Sequence, residues 1–180
     1  FTTRARAVNA LSPKRELGLS ASVAPFSGVR IVGGLFNGNG PVASGNDDGR
    51  FLYTGRLVAE LLDPGAENNG GPALSVGASG ALRNADRADR GTESSDTDWT
   101  VAGADLAASW GVFRLGSEAI YRELRSGAGV AEEAWGGQVT GAAALPISGP
   151  VQEVLLRWDW FRPFGAATSS DLLVIGYSVN

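Results

Sequence analysis

From about residue 15 onward the chain is patterned with a period of two. In "FLYTGRLVAELL" (51–62) Phe51, Tyr53, Gly55, Leu57, Ala59 and Leu61 hold the odd positions, and Thr54, Arg56 and Glu60 fall on the even ones. In 113–124, Phe113, Leu115, Ser117, Ala119 and Tyr121 alternate with Arg114, Gly116, Glu118 and Arg122. In "EVLLRWDW" the apolar set is Val154, Leu156, Trp158 and Trp160, and the opposite set holds Glu153, Arg157 and Asp159. A side chain changes face at every residue of a strand, so each segment sorts its charge onto one face. The spacing predicts strands at 15–26, 28–37, 51–62, 72–84, 99–110, 113–124, 134–147, 152–163 and 171–180. Helical spacing is present only in "RARAVNAL" (4–11), enough for one short turn. The expectation is an all-β chain with a single domain: a loop or short helical turn over 1–14, then an antiparallel up-and-down meander over 15–180.

The connections alternate in length. Short ones at 27–28, 111–112 and 148–150 are interleaved with long polar ones at 38–50, 85–98, 125–133 and 164–170; only 63–71 is longer than its place requires. One end of the sheet therefore has tight turns and the other has loops, the asymmetry of transmembrane β-barrels. With the long loops taken as the top, Phe51, Tyr53, Tyr121, Trp135, Trp158 and Trp160 lie toward the upper ends of the apolar face. Phe26, Trp110 and Phe113 lie at the lower ends. Aliphatic and small residues fill the space between. A bilayer selects two aromatic levels around an apolar band, because amphipathic rings prefer its interfaces. Trp99 and Ile120 break the pattern, since parity puts both on the charged face, and the register of 28–37 is ambiguous. A soluble sandwich or lipocalin-like binding module also alternates, with its apolar side inside, and stands as the alternative.

Composition narrows the chemistry. The 180 residues contain no Cys, His or Met, which removes disulfides, imidazole bases and the usual zinc ligands, and with them conventional Ser-His hydrolysis. No enzyme activity, cofactor or metal site is expected. The formal charge is −4, and 14 of the 15 basic residues are Arg; an acidic chain of this kind lacks the basic footprint of a nucleic-acid binder. No apolar run approaches the ~18 to 20 residues of a membrane helix. The absence of Met and an odd count of nine predicted strands, where bacterial single-chain barrels use even counts, suggest a fragment with further strands on both sides.

Several stretches resemble the phosphate-selective porin O and P family. "FTTRARAVNALSPKRELGLS" is similar to the family segment that leads through Phe1, Pro13, Arg15 and Gly18 into a strand. "GLFNGNG" (34–40), "YTGRLV" (53–58), the hairpin "GADLAASWGVFRLGSEAIY", "LLRWDW" and "VIGYSVN" resemble its later strands, and the similarity runs over nearly the whole chain. The resemblance implies a sixteen-stranded outer-membrane barrel, of which these would be about nine strands. It also implies a homotrimer when full length, contact with outer-membrane lipid, and passive diffusion of small hydrophilic solutes, including anions such as phosphate. It places Arg4 and Arg6 after an inward-folded loop, where they are constriction-loop candidates.

Parity supplies the pore-lining candidates: Arg56, Glu60, Asp105, Arg114, Glu118, Arg122, Glu153, Arg157 and Asp159. With Glu16 that makes four basic against six acidic side chains, and Lys14 is the only Lys, so selectivity stays open. These charges have two readings: a ladder for solutes, or wall braces formed by cross-strand ion pairs such as Arg114 with the neighbours of Glu118. Wet ion pairs are common, which favours bracing. Arg4 and Arg6 equally fit an ordinary polar loop. The acidic loop 85–98 lacks the calcium-loop pattern, and "GGLFNGNG" has no helix after it to receive a phosphate, so both read as loop chemistry alone. A third reading of the whole is a structural barrel that acts in adhesion through its acidic loops.

Overall fold

The structure, a computed structural model, describes residues 5–13, 16–38, 50–63, 71–83, 97–126, 131–146 and 152–179. Arg4, the predicted turn at 148–150 and most of the predicted loops 38–50 and 85–98 lie outside them. One helix, α1 (Arg6–Leu11), precedes nine strands: β1 (Gly18–Phe26), β2 (Val29–Phe36), β3 (Leu52–Leu62), β4 (Ala73–Arg83), β5 (Thr97–Trp110), β6 (Phe113–Ser126), β7 (Ala131–Leu145), β8 (Gln152–Arg162) and β9 (Ser170–Val179). They form a single sheet in sequence order, every neighbouring pair antiparallel, with β1 and β9 at its two ends. The all-β up-and-down meander expected from the pattern is what the chain forms, as an open sheet and not a closed one.

The tight ends are built by glycine. Gly28 (φ 76°) and Gly111 (φ 56°) occupy the two-residue turns β1–β2 and β5–β6, in a backbone region that other residues enter only with strain. Gly111 takes the first central position, where a type II′ turn puts glycine. Bulges interrupt β1 between Val23 and Phe26 and β3 between Glu60 and Leu62. The first of them lies in the hairpin partner of β2, whose face assignment the sequence pattern left ambiguous.

α1 lies on one face of this sheet, here called the inner face, against β6, β7 and β8. Six residues are too few for a helix to persist alone in water. Its N-cap, Ala5, makes no side-chain capping bond; at the other end Ser12 donates from its backbone and from Oγ to the Val8 carbonyl, and Pro13 follows. Docking therefore holds it. Ala7 and Leu11 are buried with Leu52, Ala81, Val101, Ile120 and Ala134, and Trp99, Phe36 and Phe161 pack against that cluster. A Cβ at Gly136 would come within 2.8 Å of the Ala7 Cβ, so the absence of a side chain there makes room for the helix. The two exceptions to the alternation are thereby explained: Trp99 and Ile120 face inward because an apolar helix sits on them.

Leu11 is 1% exposed at the centre of this cluster. Truncation to Ala should cost about 2 to 4 kcal/mol, as for other buried leucines. Urea unfolding followed by tryptophan fluorescence checks this, and a change below about 0.5 kcal/mol would mean that α1 is not what the inner apolar patch is for.

Candidate functional site

Backbone pairing decides which side chains share a face. Along the ladders the inner face of the described strands carries six arginines, Arg30, Arg56, Arg83, Arg114, Arg122 and Arg157. It also carries six carboxylates, Glu60, Asp105, Glu118, Glu132, Glu153 and Asp159. All nine pore-lining candidates lie on this face. Arg30, Arg83 and Glu132 were missed. Arg30 sits on the strand of ambiguous register, and β7 begins at Ala131, earlier than the pattern predicts. The inward set of β4 is otherwise Ala, Ser and Gly, so only its serine stripe could have flagged Arg83. Glu16, assigned to this face as a strand residue, instead precedes β1.

The arginines are held by carboxylates across an intervening strand. Arg56 on β3 donates to both oxygens of Asp105 on β5, at 2.9 and 2.8 Å, reaching over β4. Gly77 on β4 makes this possible: a Cβ there would stand 2.5 Å from the nearer Asp105 oxygen. The same placement relieves a conflict, because Asp105 is in register with Glu118 on β6 and like charges directly opposite destabilise a sheet. Lying over Gly77, the Asp105 carboxylate is drawn to the β4 side. Arg114 on β6 meets Glu153 on β8 at 3.4 Å across the alanines of β7.

Two further groups are less exposed. Arg157 and Asp159, two residues apart on β8, pair at 3.1 Å and are 7% and 1% exposed. Arg122 stacks its guanidinium 4.6 Å from the Trp99 ring centre and donates to the Leu11 carbonyl at 3.5 Å, fastening the last turn of α1. Arg6, from the same helix, reaches the Ser170 carbonyl at 3.1 Å on β9. These arginines therefore act on the helix and the wall, whereas Arg56 and Arg114 stand at an exposed surface.

The opposite, outer face is a continuous apolar surface. Leu57, Leu115, Leu156 and Trp158 are 46%, 45%, 51% and 47% exposed, and nothing among the described residues packs over them. Its charged strand residues are Asp98, Glu123, Arg125, Glu133, Arg162 and Asp171, all at the long-loop end. Tyr121 and Trp135, in register with each other, come two residues below Glu123 and Glu133; Trp135 is also in register with Arg162, and Trp160, which stacks 4.9 Å from Trp158, with Asp171. Gly137 leaves space for the Trp160 ring, which a Cβ would approach to 2.6 Å. Phe26, Trp110 and Phe113 are exposed at the tight-turn end. From Phe113 to Tyr121 the β6 backbone rises about 26 Å, eight steps of ~3.3 Å.

Comparison of the chain with known protein families, with curated proteins and with solved structures finds no match.

The two kinds of ion pair should differ sharply in weight. Asp105 and Arg56 are wet, so a double-mutant cycle to Ala should couple them by about 0.2 to 1 kcal/mol. Asp159→Ala should cost about 3 to 5 kcal/mol by stranding buried Arg157, and a joint replacement by Leu and Met should recover most of that loss. Urea midpoints of the parent and the five variants measure both effects; a loss at Asp159 no larger than that at Asp105 would contradict the burial.

Proposed function

We propose that the nine strands are part of an outer-membrane porin barrel, similar to the phosphate-selective porin O and P family, through which small hydrophilic solutes diffuse passively. The observation that carries this reading is the division of the sheet. Among the described strand residues, one face keeps twelve charges; the other is exposed, aliphatic, bounded by aromatic rings at two levels, and charged only at or beyond the upper level. Lipid favours such a surface and water does not. Strands of ten or more residues, as β3 to β9 are, suit a tilted crossing of the bilayer.

The soluble alternatives fit less well. A sandwich would lay a second sheet on Leu57, Leu115, Leu156 and Trp158, and a lipocalin would turn them toward its cavity, where this sheet instead has charges and a helix. In the porin reading, the backbone groups along the outer edges of β1 and β9 are satisfied by further strands, since no sheet edge persists in hydrocarbon. α1 then occupies part of the lumen, and solutes pass beside Arg56, Asp105, Arg114 and Glu153. The bacterial outer membrane is the proposed location and a homotrimer the proposed assembly.

Adjacent substitutions separate lipid from water. Leu115→Arg on the outer face, about 7 Å above the level of Phe113, should cost about 1 to 3 kcal/mol, between the interfacial and midplane values, and hinder barrel assembly, read as loss of heat-modifiable migration in membranes. Gly116→Arg, one residue on, enters open space on the inner face, where a Cβ meets nothing within 4 Å. It should assemble and lower single-channel conductance. If Leu115→Arg assembles like the parent protein, the outer face does not meet lipid; if the complete natural chain conducts no ions in planar bilayers, the channel reading fails.

A further inference from the structure

We propose that the inner face is charge-compensated, with Asp105 and Glu153 as the residues that set its specificity, so that it admits small uncharged or zwitterionic polar solutes without preference for anions. The inference rests on the porin reading and deepens it.

An anion path needs arginines whose charge a solute can share. The two that stand at an exposed surface and that solutes would meet along β3 to β8 are each opposed by a carboxylate: Arg56 by Asp105 through two contacts of 2.9 Å or less, and Arg114 by Glu153 at 3.4 Å. Arg122 is turned to Trp99 and the Leu11 carbonyl, and Arg157 to buried Asp159. The exposed charges nearest the tight turn of β1–β2, Arg30 and Glu60, are again one of each sign. Among the described strand residues, six positive and six negative side chains on this face sum to zero. At a distance comparable with the Debye length, about 8 Å in physiological salt, each close pair presents a dipole and no net charge. A solute carrying both signs can match that dipole, while a simple anion gains from Arg56 what it loses to Asp105.

The Gly77 gap adds a geometric argument. β4 carries no side chain where Asp105 crosses toward Arg56, and a methyl group there would overlap the carboxylate. The strand between the partners thus leaves the space their contact needs, and the pair belongs to the built wall.

Because the chain has no Cys, one thiol reports the local potential. Ser79→Cys places it on β4, in register with Arg56 and Gly103 on the inner face. In the complete natural chain, reconstituted in lipid vesicles, its reaction rates with anionic and cationic methanethiosulfonates are measured, each relative to the same reagent with a free small thiol. The expected anionic-to-cationic ratio is about 1, within twofold. Asp105→Asn in this background should raise it by about two- to sevenfold, the opposite effects of one unit charge about 7 Å away in water on the two reagents, with and without screening by salt, and Arg56→Gln should lower it by a similar factor. Removing both should restore the starting ratio. Ala142→Cys, in register with Arg114, with and without Glu153→Gln, repeats the measurement at the second pair should the first set fail to assemble.

A starting ratio of three or more, or an unchanged ratio in Asp105→Asn, overturns charge compensation while leaving a wet inner face standing. A thiol that refuses both charged reagents yet reacts with an apolar maleimide overturns the porin reading itself, and the inference with it.

Discussion

Hydrogen bonding between neighbouring strands is the interaction on which everything else depends, because it fixes register, and register fixes which residues share a face. A slip of one residue anywhere in β5 or β6 would carry Arg114, Glu118 and Arg122 to the apolar side and bring Leu115 and Tyr121 among the charges. The long ladders make such a slip costly. β5 and β6 pair over fourteen positions, and the two-residue turn at Gly111 leaves little slack between them.

The consequence is a sheet with its apolar side uncovered and its packed core on the charged side. In a water-soluble protein the core collects the apolar face of each strand; here the buried cluster is a patch of that kind set into the inner face, roofed by α1. The helix is six residues long with little capping, so it exists because the cluster of Leu52, Val101, Ile120 and Trp99 offers it a surface. Arg122 joins the two layers from both directions, stacking on Trp99 and bonding the helix carbonyl. This patch lets a short segment be ordered on the face of the sheet that carries the twelve strand charges.

Small residues govern the rest of the inner face. Where an arginine must reach a carboxylate two strands away, the strand between carries Gly77 or alanine. The resulting pairs are exposed at Arg56 and Arg114 and buried at Arg157, so the same chemistry serves an open surface in one place and a dry contact in another. Burial decides which role each pair takes.

Alternation of polar and apolar residues determined by itself the nine strands, their order as a meander and the facing of most charges. It does so because a strand changes face at every residue and a charge on the apolar side has no compensation. Trp99 and Ile120 were anomalies at that level, since nothing local to β5 or β6 announces a helix from a hundred residues away. Arg30 was hidden by apolar Val32 and Phe36 on the same face of β2, Arg83 by a strand of small residues, and Glu132 by a strand that starts earlier than its pattern does. Which carboxylate meets which arginine was equally illegible. The partners lie 49 residues apart at Arg56 and Asp105, and only the lateral stacking of β3, β4 and β5, with the gap at Gly77, brings their side chains within 3 Å. Facing follows from the backbone's own period; pairing waits on tertiary register, because an ion pair forms by distance and the sequence records only order.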